Sequence, residues 1–356
     1  MKRSGPRALG VSTRGAVFGL CAAALFGLSA PCAKLLLTEV SPVLLAGLLY
    51  LGAATGLWLH RAIRPASSEA RLVRTDVPKL AGVVLAGGVL APVLMLFGLE
   101  RVTGLSGSLL LNLEAPFTVL LAVALFREHL GWHAALAALF IFAGAGVLKL
   151  ESGALGADTA GVLLLAAACL CWALDNNLTQ RLTLRDPFAI VRVKTLIAGC
   201  TNVTLGLVVV GGACPDVRYL VGAMLLGSVS YGLSIVLDAY ALRFIGAARE
   251  AAYFATAPFV GALLSVVILG DRVRWDTLLA VLSMLLGVVL LLRERHAHLH
   301  THEPLEHEHL HEHDEHHQHQ HAPDDPAGSP HSHRHRHDVL AHDHAHVPEA
   351  HHRHRH

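Results

Sequence analysis

Residues 101–117 read RVTGLSGSLLLNLEAPF, and residues 243–259 read RFIGAAREAAYFATAPF. Each stretch begins with an arginine that is followed three residues later by a glycine, and each ends in Ala-Pro-Phe. The two stretches lie 142 residues apart in a chain of 356 residues. Proline is uncommon inside an apolar helix, because it lacks a backbone donor and its ring clashes with the preceding turn. Its occurrence at the same place in both stretches indicates an internal repeat.

The matches extend beyond these two stretches, at offsets of 143 to 146 residues. The further pairs are Trp132 with Trp275, Gly144 with Gly287, Gly15 with Gly161, Phe26 with Trp172 and Lys34 with Gln180. Chance similarity is the alternative explanation, since any two apolar stretches share many residues. The paired prolines, glycines and tryptophans favour a repeat.

Ten apolar segments, each of roughly 18 residues or more, follow one another along the chain. They run Gly15–Leu37, Pro42–Leu59, Leu80–Leu99, Gly104–Phe126, Gly131–Leu148, Ala160–Leu182, Phe188–Gly211, Leu220–Leu242, Gly246–Leu269 and Trp275–Leu292. The chain is 53% hydrophobic and 15% charged, which is too little charge to cover the surface of a soluble protein of this length. These features predict ten transmembrane helices in a lipid bilayer, joined by connections too short to form a soluble domain.

Lysine and arginine are unevenly divided between the two sets of alternating connections. With the N-terminus inside the cell, fifteen of these residues lie on the inner side and five on the outer side. Basic residues beside a span resist translocation, so the bias predicts a multi-pass protein of a bacterial inner membrane with both termini in the cytoplasm. A signal peptide is the alternative for the first segment. The length of its apolar run and its partner in the repeat favour a retained helix.

An odd number of helices in each repeat makes the second repeat enter the membrane from the opposite side. The predicted fold is therefore an all-α membrane protein whose ten transmembrane helices form two inverted five-helix repeats. The predicted regions are a cytoplasmic N-terminus at 1–14, the two repeats at 15–150 and 151–295, and a disordered, histidine-rich cytoplasmic tail at 296–356. Inverted repeats are typical of secondary transporters, since two similar halves can rock to open the protein alternately to either side.

Short motifs around the fourth and ninth helices resemble those of a known family. They are Asn112-Leu113-Glu114-Ala115-Pro116-Phe117 with Phe126-Arg127-Glu128, and Ala257-Pro258-Phe259 with Gly270-Asp271. The pattern resembles the EamA-type repeat of the drug/metabolite transporter superfamily, over residues 15–293. The resemblance implies ten helices around a central cavity that serves the export of amino acids, metabolites or toxic compounds. It also implies structural motif residues at Pro116, Glu128, Pro258 and Asp271, the last of which replaces the more usual glutamate.

Polar side chains inside the predicted spans are candidates for a substrate site, because a charge at membrane depth costs about 2.5–3.5 kcal/mol and usually faces a cavity or a partner. The candidates are Asn112, Glu114, Trp172, Asp175, Asn176, Thr179, Tyr231, Asp238 and Tyr253. Four of them recur at i, i+3, i+4 and i+7 on the sixth helix, which puts an aromatic ring, an acid, an amide and a hydroxyl on one face. Such a face suits a cationic or zwitterionic ligand.

These side chains have a structural alternative, namely ion pairs or helix-end groups that only fix helix packing. The alternative applies most to Asp238, Lys194, Arg249 and Glu250, which lie near predicted helix ends, where long side chains can reach the membrane interface. A coupling proton is a further hypothesis for the spans. Asp175 and Glu114 are its candidate carriers, since burial favours the neutral form of a carboxyl group.

The tail from residue 296 holds 23 of the 26 histidines and has too few apolar residues to form a core, so we expect it to be disordered. Imidazole suits zinc, nickel, cobalt and copper, and His-x-His spacing offers overlapping sites. The candidate ligands are His307, His309, His311, His313, His316 and His317. A metal buffer or sensor, a feeder for metal export and a pH-sensitive segment are the functional hypotheses. Incidental chelation by a low-complexity tail is the alternative.

The function that these patterns favour is export of small metabolites, amino acids or drugs by alternating access. Efflux of a divalent metal or a metal chelate is one alternative, and a membrane metal sensor or scaffold that no longer transports is another. No hydrolase, oxidoreductase or nucleotide-binding motif is present, so we predict neither an enzyme nor ATP drive. The expected partners are a small-molecule substrate, the lipid bilayer and divalent metal ions on the tail. We expect no required cofactor and no nucleic acid, and a homodimer stays open.

Overall fold

The computed structural model describes residues 11–63, 70–126, 130–150, 158–182 and 185–293, and the backbone of four short segments between 296 and 346. Ten helices in these ranges are long and apolar enough to cross a membrane. In chain order, α1 to α10 are Thr13–Leu36, Pro42–Ala62, Arg74–Arg101, Gly104–Leu125, Trp132–Lys149, Thr159–Gln180, Pro187–Val209, Val217–Gly246, Arg249–Leu269 and Trp275–Leu292. They coincide with the ten predicted spans, so the all-helical membrane fold is confirmed.

Several of these helices change geometry along their length. The segments of α1 are Val11–Gly27 and Ser29–Leu36, and those of α4 are Gly104–Leu110, the 3-10 turn Leu111–Leu113 and Glu114–Phe126. The segments of α3 are the 3-10 turn Arg74–Asp76, Val77–Val83, the π-helix Val84–Leu90 and Ala91–Arg101. The segments of α8 and α9 are Val217–Leu226, the π-helix Gly227–Leu233, Ser234–Phe254 with a kink at Gly246, Ala257–Leu264 and the π-helix Ser265–Leu269.

The π-helices Val84–Leu90 and Gly227–Leu233 occupy equivalent places in the third helix of each repeat, 143 residues apart. A π-helix is rare, and it is found most often at functional sites. Its presence at both places shows that the two repeats share one backbone plan as well as a few matching residues.

The contact between α5 and α10 shows the two-fold relation between the repeats. A β-carbon added to Gly144 would lie 2.7 Å from Cγ of Met284, and one added to Gly287 would lie 2.7 Å from Cγ1 of Ile141. Ile141 and Met284 are 143 residues apart, as are the two glycines. Each residue therefore contacts the counterpart of its own partner's neighbour, as a pseudo-two-fold axis requires.

The other helix pairs follow the same symmetry. Helix α3 packs against α6, and its counterpart α8 packs against α1. Glycines permit the close approach, since a β-carbon on Gly161 of α6 would lie 2.8 Å from Cβ of Arg101, and one on Gly15 of α1 would lie 2.9 Å from Cβ of Phe244. Small residues at such contacts are typical of membrane helices, because packing drives their association in lipid.

Large apolar side chains cover the outside of the bundle. Trp275 is 83% exposed, Val208 74% and Val267 72%. Contiguous apolar surface of this kind is unfavourable in water and favourable against acyl chains. Together with the ten apolar helices, it shows that the chain is a multi-pass membrane protein.

Acidic residues outside the spans cap two helices of the second repeat. Asp158 Oδ1 accepts a hydrogen bond from the amide of Ala160, and its Oδ2 accepts one from Arg101 at 3.0 Å. The bond from Arg101, and then the amide bond, hold the pKa of Asp158 below its ordinary value. Asp216 caps α8 in the same way, and its bond from Arg218 lowers its pKa. Both carboxylates stabilise the exposed start of a helix.

Four strand segments occur in the histidine-rich tail. Strands β1 to β4 are His296–His302, Leu305–His311, His331–His337 and Leu340–His346. Strand β1 pairs with β4 and β2 pairs with β3, both antiparallel, so that His298 lies opposite His344 and His309 opposite His333. In these segments the structure differs from the disorder that composition predicts. The physical basis is that histidine at every second residue has the period of a strand, which a count of apolar residues does not detect.

Candidate functional site

Five ionisable side chains from five helices come together inside the bundle. They are Glu114 of α4, Asp175 of α6, Lys194 of α7, Asp238 of α8 and Glu250 of α9. Glu250 is fully buried, and Asp175 and Lys194 are 3% and 5% exposed. We call these five residues the central polar cluster. It combines four acids with one base, and the charge of each member acts on at least one other member.

Asp175 and Lys194 form an ion pair within the cluster. One carboxylate oxygen of Asp175 accepts from Lys194, and the other accepts from Oγ1 of Thr179 at 3.1 Å. Lys194 thus points into the bundle instead of reaching the membrane interface. A buried carboxylate without a cation is strongly unfavourable, which explains the inward direction. The charge of the lysine is therefore matched by Asp175.

Glu114 joins α4 to α6, because its Oε1 accepts a hydrogen bond from Nδ2 of Asn176 at 2.8 Å. It also borders a cleft between α1, α4 and α9 that encloses about 290 Å³ of space free of protein atoms, including the part that opens to the surroundings. Phe26, Phe254 and Pro258 line the same cleft. A carboxylate at the edge of an aromatic recess can hold an organic cation.

Aromatic rings from several helices surround Phe26 of α1. Its ring centroid lies 5.7 Å from that of Trp172, 5.6 Å from that of Tyr231 and 5.1 Å from that of Phe254. The ring of Tyr231 lies 5.6 Å from that of Tyr50 in turn. Two predicted site residues, Trp172 and Tyr231, thus belong to one aromatic group beside the cleft. Their ring faces attract positive charge.

The π-helix of α3 presents a backbone carbonyl to this group. The oxygen of Gly87 accepts from Oη of Tyr50 at 2.6 Å and from Nε1 of Trp172 at 3.2 Å. Pro92 lies five residues later and has no amide, so the carbonyl lacks its π-helical donor and is free for side chains. Sequence analysis missed Tyr50 and Gly87. A proline within the third apolar segment is the signal that points to them.

Asp238 and Glu250 form the part of the cluster nearest the connection between α8 and α9. Gly246 makes that connection with a φ of 76°, a left-handed value that glycine adopts without strain. The charged group that acts most strongly on Glu250 is Asp238, followed by Glu114. Neither carboxylate oxygen of Glu250 has a hydrogen-bond partner within the described part of the chain.

Two predicted substrate residues lie away from the cluster. Nδ2 of Asn112 donates to the carbonyl of Leu109 at 3.2 Å and to Sδ of Met284 at 3.8 Å, so this side chain faces α10. Tyr253 packs against α1, where a β-carbon on Gly19 would lie 3.1 Å from its Cβ. Helical spacing correctly groups residues on a face, but it does not indicate which neighbour that face meets.

The structural motif residues have different positions. Pro258 lines the cleft, and Pro116 is buried within α4. Oδ2 of Asp271 accepts from the amide of Leu105 at 2.7 Å, so the acidic residue after α9 binds the first turn of α4 and ties the two repeats together. Glu128, its counterpart in the first repeat, lies outside the described residues.

The described residues contain no group of three or more histidine, cysteine, aspartate or glutamate side chains placed to hold a metal ion. The predicted metal ligands lie in the tail instead. On strand β2, the positions of His307, His309 and His311 lie opposite His335, His333 and His331 of β3. The candidates His313, His316 and His317 lie outside the described residues.

Comparison with known proteins agrees with this architecture. The EamA-like transporter family matches residues 13–150 and, a second time, residues 159–293. The chain is 30% identical over 288 residues to a protein of Methanothermobacter thermautotrophicus described as an uncharacterized transporter, with 76% of this chain and 84% of that protein covered. A solved crystal structure superposes with a TM-score of 0.60 at 18% identity, over 78% of this chain and 95% of its own, which shows the fold alone. The two family matches coincide with the two five-helix repeats, and the chain therefore belongs to the EamA-like transporter family.

Proposed function

We propose that this protein is a secondary transporter of the bacterial inner membrane that exports small metabolites, amino acids or drugs by alternating access. We further propose that its cargo carries a positively charged group. The observation that carries the proposal is the excess of acid in the central polar cluster, beside a cleft lined with aromatic rings.

The charge balance of the cluster favours a cation in the cleft. Lys194 is matched by Asp175, so the other acids have no buried base to pair with among the members of the cluster. Uncompensated carboxylates are costly at membrane depth, and a positive charge supplied from outside the protein relieves that cost. Glu114 borders the cleft, where Phe26 and Phe254 offer ring faces to an alkylammonium group.

The two-fold relation between the repeats supports alternating access. Helices α4 and α9 are counterparts in the two repeats, and both line the cleft. Rocking of one repeat against the other would move these helices relative to each other and open the cleft to one side at a time. The excess of basic residues on one face supports cytoplasmic termini.

We expect Glu114→Gln to lower transport of a cationic probe by about tenfold to a hundredfold, the loss that follows when a charged partner worth about 1.5–3 kcal/mol is removed. Glutamine retains the oxygen that accepts from Asn176, so the link between α4 and α6 is preserved. The measurement is uptake of radiolabelled choline, lysine and glutamate into liposomes containing the purified full-length protein.

Glu100→Gln is the matched control, because Glu100 is an exposed acid at the end of α3 and its replacement removes the same charge. It should leave uptake of choline and lysine within about twofold of the unmodified protein, as surface substitutions usually do. Preferential uptake of glutamate over both cations, or equal uptake with and without the Glu114 carboxylate, would contradict the proposal.

For the tail we propose a cytoplasmic metal-binding segment that buffers or senses divalent metal for the transporter. Alternate histidines, and the histidine positions that lie opposite one another in β2 and β3, support it. Direct metal efflux through the helices is less supported, since the described helices provide no ready set of metal ligands.

Removal of residues 296–356 should leave uptake of the cationic probe unchanged and abolish any change in uptake caused by zinc or nickel. The measurement repeats the liposome assay with each metal added to the side that carries the tail. An identical metal response with and without the tail would defeat the sensor proposal. Movement of zinc or nickel itself would support metal efflux, and metal binding without transport of any probe would support a scaffold.

A further inference from the structure

The carboxyl groups of Asp238 and Glu250 form a pair whose chemistry the cation site does not use. Glu250 has no exposed surface, and both of its carboxylate oxygens are without a hydrogen-bond partner in the part of the chain that the structure describes. Its strongest charged neighbour is another acid, Asp238. In the first repeat the position equivalent to Glu250, 142 residues earlier, is Ser108. The acid pair is therefore a feature of one repeat alone.

The charged groups that act on the pair belong to the central polar cluster. Asp238 is affected by Lys194 and Asp175, and Glu250 by Glu114. Lys194 is the base of this group, and it forms its ion pair with Asp175. The arginines on the flanking segments are Arg14, Arg181, Arg243, Arg249 and Arg293. Of these, Arg243 donates to the carbonyl of Arg185 and lies over the ring of Tyr240, 5.5 Å from its centroid.

Two buried carboxylates side by side cannot both remain ionised, because each disfavours the charge of the other and neither is solvated. A shared proton removes one of the charges and lets the protonated oxygen donate to its neighbour. We propose that Asp238 and Glu250 form a proton-binding site that couples proton movement to transport. This inference rests on the proposed function, since it assigns the ion that would drive export.

The position of the pair allows exchange between proton and cargo. Ala251, Phe254 and Ala255, which follow Glu250 on the same helix, line the cleft. Asp238 also acts on Glu114 at the edge of that cleft. A cation that binds beside Glu114 adds positive charge near the pair and favours loss of its proton. The carboxylic O–H bond then breaks, its electrons stay on the carboxylate, and the proton passes to water on the side to which the protein is open.

Infrared difference spectroscopy of the full-length protein in lipid bilayers tests the site without any cargo. The carbonyl stretch of protonated carboxylic acids is followed as the pH is raised from about 5 to about 9, which spans the range expected for buried carboxyl groups. We expect the unmodified protein to show a buried carboxylic-acid band that disappears as the pH rises. Glu250→Gln and Asp238→Asn should each remove that band, and the second variant keeps the test available if the first does not fold.

Asp216→Asn is the matched control, because it removes an exposed carboxylate that caps α8, and it should leave the band unchanged. The absence of a pH-sensitive band from the unmodified protein, or its persistence in both variants of the pair, would overturn the proton site.

A second measurement is the ratio of lysine or choline uptake at two pH values in liposomes. We expect this ratio to be large in the unmodified protein and close to one in Glu250→Gln, whatever the absolute rate of the variant. An equally large ratio in the variant would overturn the coupling role. If the unmodified protein transports none of the probes, the proposed function fails, and the infrared result still decides whether the pair binds a proton.

Discussion

Replacement of Lys194 with methionine should lower the free energy of unfolding by about 3–5 kcal/mol, because it leaves the buried carboxylate of Asp175 without its cation. Thr179 would remain as a hydrogen-bond donor to Asp175, but a neutral hydroxyl does not compensate a full charge. Methionine retains most of the apolar stem of lysine, so the loss measures the charge and not the packing. Unfolding of the purified protein in detergent micelles, followed by tryptophan fluorescence, gives the free energy.

The double variant Lys194→Met with Asp175→Asn is the decisive control. It removes both charges together, and a neutral pair of similar volume is often as stable as a buried ion pair. We expect the double variant to recover most of the stability that the single variant loses. A double variant as unstable as Lys194→Met would show that the lysine stabilises the bundle by packing and that the ion pair contributes little.

The contact of α8 with α2 should be equally intolerant of a single methyl group. A β-carbon on Gly227 would lie 2.0 Å from the carbonyl oxygen of Leu49. That oxygen is a backbone atom in the middle of a helix, so it cannot move unless the two helices separate. We expect Gly227→Ala to lower the free energy of unfolding by at least about 1–3 kcal/mol, the usual cost of overpacking, and to lower the amount of folded protein recovered from membranes.

Gly146→Ala provides the matched control for this substitution. A β-carbon on Gly146, within α5, would meet no atom within 4 Å. Alanine is favoured over glycine in a helix by about 1 kcal/mol, so this variant should be as stable as the unmodified protein or slightly more stable. Equal stability of Gly227→Ala and Gly146→Ala in the same micelles would mean that α2 and α8 do not approach each other as closely as described.

Most of the fold is predictable from the sequence because it depends on local properties. The ten apolar segments predict the ten spans, and Pro116 with Pro258 reveals the repeat. The structure adds the π-helices Val84–Leu90 and Gly227–Leu233. Apolar periodicity does not detect them, since a π-helix changes the hydrogen-bond pattern without changing the composition of the segment.

Less of the candidate site is predictable. The stripe of Trp172, Asp175, Asn176 and Thr179 on α6 is correctly assigned to the interior, because residues at helical spacing share a face. Its partners are not predictable in the same way, and Lys194 is an example, since its distance from a helix end suggests an interfacial position.

The sequence by itself thus determined the membrane environment, the ten helices and their division into two inverted repeats, all of which follow from apolar length and matching residues. Only the tertiary structure decided that Lys194 neutralises Asp175, that Glu114 borders an aromatic cleft and that Asp238 lies beside Glu250. The physical reason is that spacing along one helix defines its faces, whereas the meeting of two faces depends on how closely helices distant in sequence can pack at their glycines.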